Sequence, residues 1–445
     1  MATTTAPLAL ADPPRPTRRR SAALVIALCW LIVVFDGYDL IVYGTTIPAL
    51  LAEPGWGLTP ATAGTIGSLA FVGMLVGALT AGNLADRLGR RRTIIGCVAW
   101  FSVFTGLCGV ASSPGVFGAL RFLAGLGLGG LVPSANALTA EFVSTRLRSV
   151  IATVMMSGVP IGGSIAAVVG IYAIPGLGWQ SMYFFAFGGV VLLALVVALL
   201  PESPTWLRAH GRAGEAVEVE HRFGVAAVEH TGQQHRPGLR TILRPPFAGA
   251  SIAFALASVA TLLAWYGLGT WLPKLMAGDG RFDLGSNPLT FLLALNLGAV
   301  AGSVVTAWAA TRFGPLPSAI LAAGTAAAGL AFLVTYPSSV TLVYGALILA
   351  GVGTHGTQCL IISAVATHYP AQLRGTSLGF ALGAGRIGAV AAPQLGGWLL
   401  GAGLGVGSNF LLFAGAAAAS AVLLLATHLA TRPASTRAVV GELAH

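Results

Sequence analysis

The chain has 445 residues, of which 56% are hydrophobic and only 9% are charged, and its mean hydropathy is +0.83. A soluble protein of this length usually carries close to a quarter charged residues, so this composition excludes a soluble globular fold. The formal net charge is +10, with a sequence pI of about 10.1; the arginines that produce it follow membrane topology, which argues against a nucleic-acid partner.

Twelve apolar runs follow one another along the chain, each long enough to cross a bilayer as a helix. A span needs about 20 mainly apolar residues, and none of these runs shows the alternating pattern of a membrane β-strand. We therefore predict an all-α membrane protein with twelve transmembrane helices. The runs cover residues 22–50, 62–83, 93–111, 115–140, 148–172, 180–200, 247–273, 288–310, 316–335, 339–366, 375–401 and 407–430.

The basic residues lie almost entirely on one side of the predicted bundle. If the spans alternate in direction, 20 of the 23 arginines fall on the side of the two termini, and the other side receives only Lys274 and Arg281. This is the positive-inside pattern, in which short cytoplasmic loops carry the excess of Lys and Arg. We expect a multi-pass protein of the cytoplasmic membrane, in contact with the lipid bilayer, with both termini cytoplasmic. The remaining arginines, Arg121 and Arg386, fall inside spans.

The longest charged stretch divides the spans into two sets of six, and the sets resemble each other at an offset of about 225 residues. AGLGLGG at 124–130 matches AGVGTHG at 350–356, and ADRLG at 85–89 matches ATRFG at 310–314. Repeats that enclose a site near the bilayer midplane are typical of secondary transporters. The predicted units are a cytoplasmic N-terminal tail 1–21, a six-helix bundle 22–200, a cytoplasmic central loop 201–246, a second six-helix bundle 247–430 and a cytoplasmic C-terminal tail 431–445.

Three motifs in chain order resemble those of the major facilitator superfamily. They are GNLADRLGRRR at 82–92, LRFLAGLGLGG at 120–130 and LPESPTWL at 200–207. The resemblance covers nearly the whole chain and implies the major facilitator fold, with two six-helix halves. The second half departs from the first motif, because Thr311 stands where the first half has Asp86, which implies asymmetric charge contacts at the cytoplasmic gate.

Three further motifs resemble the aromatic acid:proton symporters within that superfamily. They are DGYD at 36–39, AEF at 140–142 and GAGRIGA at 383–389. The resemblance implies proton-coupled import of a small aromatic carboxylate such as benzoate, a hydroxybenzoate, protocatechuate or gentisate. The partners are then the acid, protons and lipid, and we expect a monomer without a cofactor.

Asp36 and Asp39 lie three residues apart in the first span and so share one face of a helix. Each ionised carboxylate costs about 2.5–3.5 kcal/mol at the centre of a membrane helix, so both should face water, a partner or a proton. Two like charges this close are expected to titrate as a pair. We interpret them as the proton-coupling site; the alternative is a structural salt bridge or a capped helix break at Gly37.

The two arginines inside spans are candidate substrate-binding residues. Arginine forms two parallel hydrogen bonds with a carboxylate, so Arg386 is predicted to bind the substrate carboxylate. The alternative for Arg386 is a permanent bridge to Asp36 or Asp39. Arg121 either forms a structural bridge to an acid of the first span or takes part in coupling.

Glu141 and His355 are further candidates for proton coupling. Glu141 lies near the end of the fourth span, where it either carries a proton or braces the loop by pairing with Arg146 or Arg148. His355, in the tenth span, could relay protons or donate a hydrogen bond to the substrate. The alternative for His355 is a packed, satisfied side chain.

Neutral residues of the spans complete the predicted substrate site. Tyr43 and Trp265 could stack on an aryl ring, although interfacial anchoring would also explain them. Gln358 could form a hydrogen bond with a ring hydroxyl, or it could only connect two helices. In the loop between the second and third spans we predict a cytoplasmic latch, formed by Gly82, Asp86, Arg87, Gly89 and Arg90, with a solvated loop as the alternative.

The sequence also allows other functions. The alternatives are a major facilitator porter for another organic acid or a sugar, a drug or metabolite exporter, and a sensor that binds its ligand without net transport. The chain shows no Ser-His-Asp arrangement, nucleotide loop or metal cluster that would support an enzyme. The four cysteines all lie in spans and show neither metal-ligand spacing nor a disulfide framework.

Overall fold

The computed structural model describes residues 21–144, 147–225, 238–282 and 285–430. The predicted N-terminal tail up to residue 20, the C-terminal tail from 431 and the middle of the central loop lie outside the described residues. Within the described ranges the secondary structure is helical, with no strand. The prediction of an all-α protein is therefore confirmed.

Twelve long helices, α1 to α12, account for most of the described chain. Their bounds are α1 Ala22–Leu51, α2 Pro60–Leu88, α3 Arg90–Cys108, α4 Pro114–Glu141, α5 Arg148–Leu177, α6 Gln180–Leu199, α7 Ala248–Gly278, α8 Pro288–Phe313, α9 Pro315–Leu333, α10 Val340–His368, α11 Ala371–Gly401 and α12 Gly405–Ala430. A single 3₁₀ turn, Phe185–Phe187, interrupts α6. Short helices in the central loop cover Pro204–Ala209, Ala213–Phe223 and Leu239–Ile242.

Ten of these helices are long and apolar enough to cross a membrane, whereas α3 and α11 fall short by composition. The first turn of α3 holds three consecutive arginines, and α11 carries Arg374 and Arg386. Each helix is nevertheless as long as a span requires. The predicted count of twelve spans thus rests on these two helices in addition to the ten that composition selects.

Local sequence signals set the helix ends. Thr59 and Thr62 form a reciprocal capping box before α2, and Ser113 and Asn287 cap α4 and α8, each ahead of a proline. Gly89 and Gly314 make the turns after α2 and α8 with φ of 96° and 87°, a region that favours glycine. The repeated ADRLG and ATRFG motifs therefore form equivalent turns.

The helices pack mainly within the two sets of six. In the first set α2 lies against α4, α1 against α5 and α3 against α4; in the second, α8 and α9 lie against α10, and α7 against α11 and α12. The closest packing between the sets is that of α2 with α11, of α5 with α8 and of α1 with α7. These three pairs form the interface across which the site is built.

Close backbone contacts between the sets occur from the middle of the bundle to one end. We call the end that carries Gly89 the inner end and the opposite one the outer end. Gly64 near the outer end of α2 lies against Pro393 of α11, and Gly44 of α1 lies against Gly269 of α7. Glycine allows this approach because it has no side chain. The two sets are thus closely packed toward the outer end.

Candidate functional site

Three ionisable side chains lie at the same depth in the bundle. Asp36, His355 and Arg386 are each within one residue of the middle of α1, α10 and α11. All three helices are long enough to span a bilayer, so these groups lie near the midplane. The structure therefore places one residue from each of three separate sequence segments at the same level of the bundle.

Asp39 forms a buried ion pair with Arg121. Nη1 of Arg121 lies 2.9 and 3.0 Å from the two carboxylate oxygens of Asp39, and Nη2 donates to the backbone oxygen of Asp39 at 3.1 Å. Thr105 Oγ1 donates to the same carboxylate at 2.6 Å. Both charged side chains are 2% exposed. The predicted bridge from Arg121 to an acid of the first span is therefore present, and a role of Arg121 in coupling or in substrate binding stays a prediction.

Asp36 has a different environment from Asp39, although it lies one turn away. Its side chain is buried, and Oδ1 has no hydrogen-bond partner among the described residues. The Arg386 guanidinium lies within electrostatic range of this carboxylate. The alternative of a helix break at Gly37 is wrong, because α1 continues through it. That the two aspartates titrate as a pair stays a prediction.

Arg386 is a partly exposed cation at the midplane. Within the described ranges no ion pair of 4 Å or less involves it. The alternative of a permanent bridge to Asp36 or Asp39 is therefore wrong for this conformation. Arg386 interacts with the Tyr266 hydroxyl of α7; without an ion-pair partner among the described residues, its guanidinium can still bind an anion.

Two aromatic side chains of α7 lie near the level of this cation. The Tyr266 ring lies 4.6 Å from the Phe71 ring across the interface between the two sets. Trp265 lies 5.3 Å from the imidazole of His355, ring centroid to centroid. His355 is buried, and its Nε2 lies 3.8 Å from Cys359 Sγ. Trp265 and His355 thus form one wall at the level of Arg386, and their predicted roles stay predictions.

Tyr43 and Gln358 differ in whether their polar groups already have hydrogen-bond partners. The Tyr43 hydroxyl donates to the Ala63 backbone oxygen at 2.6 Å, and its ring packs on Phe117. In this conformation Tyr43 ties α1 to α2. The Gln358 side chain is buried, and Oε1 has no hydrogen-bond partner among the described residues. Gln358 is therefore available to a ligand, whereas Tyr43 is committed to protein contacts.

Glu141 belongs to a cluster at the inner end. Its carboxylate pairs with Arg90, and it accepts hydrogen bonds from Ser203 Oγ at 2.7 Å and from the Thr205 backbone N–H at 3.2 Å. The predicted pairing of Glu141 with Arg148 is wrong, and the alternative partner, Arg146, lies outside the described residues. Arg90, at the start of α3, lies close enough to the end of α4 to pair with Glu141 in place of Arg148. A role of Glu141 in carrying a proton stays a prediction.

The other residues of the predicted latch lie at the same end. Gly82, Asp86 and Arg87 are exposed. The Asp86 backbone oxygen accepts a hydrogen bond from Trp206 Nε1 at 2.9 Å, and its carboxylate forms no ion pair within the described ranges. Gly89 makes the turn into α3. A switching role for this loop stays a prediction.

Sequence reasoning missed Glu202 as an individual residue. Its Oε1 accepts hydrogen bonds from the backbone N–H groups of Arg91 and Ser203, both at 2.9 Å. Arg91 is in the first turn of α3, where free N–H groups favour a negative charge. The LPESPTWL motif that contains Glu202 was the available signal. Together with Glu141 and Arg90, Glu202 forms what we call the inner brace.

A cavity of about 310 Å³ lies beside the inner brace. It is bounded by the start of α3, the end of α6 and the loop helix Ala213–Phe223, and its lining includes Arg91, Arg222 and Glu218. None of the midplane residues lines it. This cavity is therefore separate from the candidate substrate site.

These features define the class of protein. Two packed sets of apolar helices, in close contact at the outer end, are the architecture of a multi-pass membrane transporter. Near the midplane lies a cation that has no ion-pair partner within the described ranges. The chain belongs to the Major Facilitator Superfamily, since the sequence model of that family matches residues 29–393 and 283–443. It is thus a transporter and not an enzyme.

Individual relatives confirm the resemblance to aromatic acid transporters. The gentisate transporter of Corynebacterium glutamicum is 53% identical over 410 residues, covering 91% of this chain and 87% of that protein. The benzoate transport protein of Acinetobacter baylyi is 35% identical over 407 residues, covering 87% and 85%. Among solved structures, the inward-open xylose transporter XylE of E. coli matches with a TM-score of 0.72 at 15% identity, covering 91% of this chain and 95% of that one, which shows the fold.

Proposed function

We propose that this protein imports a small aromatic carboxylate together with protons by alternating access. It resides in the cytoplasmic membrane as a monomer, with both termini in the cytoplasm. Gentisate is the first candidate substrate, because the relative with 53% identity is a gentisate transporter. Benzoate, hydroxybenzoates and protocatechuate are the other members of the class.

The Arg386 guanidinium, whose charge has no ion-pair partner in the described part of the chain, is the observation that carries the proposal. A charged group inside a membrane protein is normally paired or functional, and Arg386 has no ion-pair partner among the described residues. Arginine matches a carboxylate with two parallel hydrogen bonds. Tyr266 of α7 lies beside Arg386, and it supplies aromatic surface for the ring. An anion with an aryl group satisfies both features.

Asp36 is the proposed proton carrier. Asp39 already has a cation and a hydroxyl donor, whereas Asp36 lies within range of Arg386 without an ion pair. When Asp36 is ionised it attracts Arg386, and when it is protonated Arg386 is available to the substrate. Because opposite charges stabilise each other strongly in a medium of low dielectric constant, proton binding and substrate binding at these two residues favour each other.

Alternating access follows from the interface between the two sets. In this conformation the outer ends are in close contact, so Arg386 can exchange ligand with the inner side. In the other state the contacts between α2 and α11 and between α1 and α7 would open at the outer end. Neutralising the site before this movement avoids carrying an unpaired charge through a closed state.

Uptake into a host without its own carriers tests the proposal. Labelled gentisate, benzoate, 4-hydroxybenzoate and protocatechuate are supplied with and without a protonophore. We expect uptake of at least one acid that collapses with the protonophore and with Arg386→Gln. Arg312→Gln, an exposed arginine at the inner end, is the matched control and should retain uptake.

Other results would redirect the assignment. Protonophore-resistant uptake would contradict proton coupling while leaving the substrate class in place. If the inserted protein carries none of the aromatic acids, the substrate class is wrong, and other organic acids, sugars and export have to be assayed.

A further inference from the structure

We propose that Gln358 forms a hydroxyl-binding subsite that selects aromatic acids with a ring hydroxyl. This rests on the proposed function, in which Arg386 binds the carboxylate. The subsite holds the hydroxyl of a gentisate-like or hydroxybenzoate-like acid, and it disfavours benzoate, which has none.

The Gln358 amide is a buried polar group in need of a partner. Its side chain is 7% exposed, and Oε1 has no hydrogen-bond partner among the described residues. Buried polar groups in folded proteins are nearly always paired, so an unpaired one requires an explanation. A ring hydroxyl both donates and accepts, so it can pair with either end of an amide. The missing partner matches the group that distinguishes a hydroxybenzoate from benzoate.

The position of Gln358 fits one ligand that also reaches Arg386. Gln358 lies three residues after His355, on the same face of α10, and about 6 Å below the middle of that helix by its rise per residue. His355 contacts Trp265, and the following residue, Tyr266, lies beside Arg386. Gln358 and Arg386 thus lie on helices that both pack against α7, in the part of α7 that holds Trp265 and Tyr266.

Three other amides have an unpaired buried atom and do not fit this role. Asn136 lies about 13 Å from the middle of α4, toward the inner end, by the rise per residue. Asn296 Oδ1 lies against Gly163 between α5 and α8, and its Nδ2 donates to a backbone oxygen of its own helix. Asn409 lies near the outer end of α12, against Gly396. Asn296 and Asn409 are both completely buried in helix contacts. Gln358 instead keeps some exposure and shares a helix face with His355.

The hydroxyl contact is isolated by comparing uptake of a hydroxylated acid and of benzoate in the wild type and in a Gln358 variant. Gln358→Met keeps the length of the side chain and removes its hydrogen-bonding groups. We expect kcat/KM for uptake of the hydroxylated acid to fall by about tenfold or more, while kcat/KM for benzoate stays within about twofold. Gln372→Met, an exposed glutamine at the start of α11, is the matched control and should change neither value. The ratio of the two values for each protein cancels differences in the amount inserted.

Each outcome decides the inference. An equal loss for both acids would show that Gln358 holds the helices together, and an unchanged ratio would show that it does not contact the hydroxyl; either overturns the subsite. Wild-type uptake provides a second measurement that needs no variant, because a protein that prefers benzoate over every hydroxybenzoate contradicts the subsite directly. If the wild type carries no aromatic acid at all, the proposed function itself fails.

Discussion

At the scale of single residues, the two aspartates of the DGYD motif have different environments despite being one turn apart. Asp39 faces Arg121 of α4, and Asp36 faces the interface with the second set of helices. Helical spacing predicts that both lie on one face, but it cannot assign partners that are 82 residues apart in the chain. Only the packing of α1 between α4 and α7 separates their environments.

Removal of Asp39 should destabilise the protein, whereas removal of Asp36 should not. Asp39→Asn leaves the buried Arg121 without its counter-charge, and breaking a buried pair from one side lowers the free energy of unfolding by about 3–5 kcal/mol. Asp36 has no ion pair, so we expect Asp36→Asn to be as stable as the wild type. Thermal unfolding of the purified protein in detergent measures both.

A double variant provides the control for that prediction. Asp39→Asn combined with Arg121→Gln removes both charges and should recover much of the lost stability, because no buried charge remains unpaired. If the single variant Asp39→Asn unfolds at the wild-type temperature, the ion pair does not stabilise this fold.

At the scale of helices, hydropathy and turn residues predicted most of the fold. The predicted runs and the observed helices agree at most ends to within a few residues, because glycine, proline and capping side chains mark those ends locally. The inner brace was not predictable in the same way. Arg90 and Glu141 are 51 residues apart, and Glu202 reaches the first turn of α3 from 111 residues away. Sequence spacing carries no information about such contacts.

A methyl group added at Gly64 should shift the protein toward its outward-facing state. A Cβ at this position would lie 2.6 Å from the Pro393 backbone oxygen, closer than real Cβ contacts allow, so α2 and α11 could not pack as they do here. We expect Gly64→Ala to increase, several-fold, the labelling of Gln394→Cys by a membrane-impermeant maleimide added from outside. The background carries Cys359→Ser, since the other three native cysteines are buried.

Gly96→Ala is the matched control, because a Cβ at Gly96 would contact nothing within 4 Å. It should leave labelling of the reporter cysteine at the wild-type level. Equal labelling in the two alanine variants would mean that the contact between α2 and α11 does not close the outer end.

At the scale of the whole molecule, the two halves repeat in sequence and in turn geometry, but their inner ends differ. The first half has the ion pair between Arg90 and Glu141, whereas Pro315 follows the equivalent turn glycine in the second half. Of the five ion pairs found within the described ranges, none involves Arg312 or Arg374. We propose the boundaries 22–200 and 247–430 for the two halves that move against each other.

Separating exchange from accumulation tests how the whole molecule couples protons to transport. If one proton accompanies each monoanion, vesicles containing the wild type should accumulate the acid about tenfold per unit of pH difference. Asp36→Asn resembles the protonated state permanently. The substrate-bound variant can therefore still change between its inward-facing and outward-facing states, but it has no proton to release. We expect this variant to exchange labelled for unlabelled acid and to lose accumulation, whereas Arg386→Gln should lose both. Vesicles without the protein correct for passive diffusion of the acid. Accumulation that persists in Asp36→Asn would place the coupling proton on another residue, and Glu141 and His355 would then be the candidates to replace.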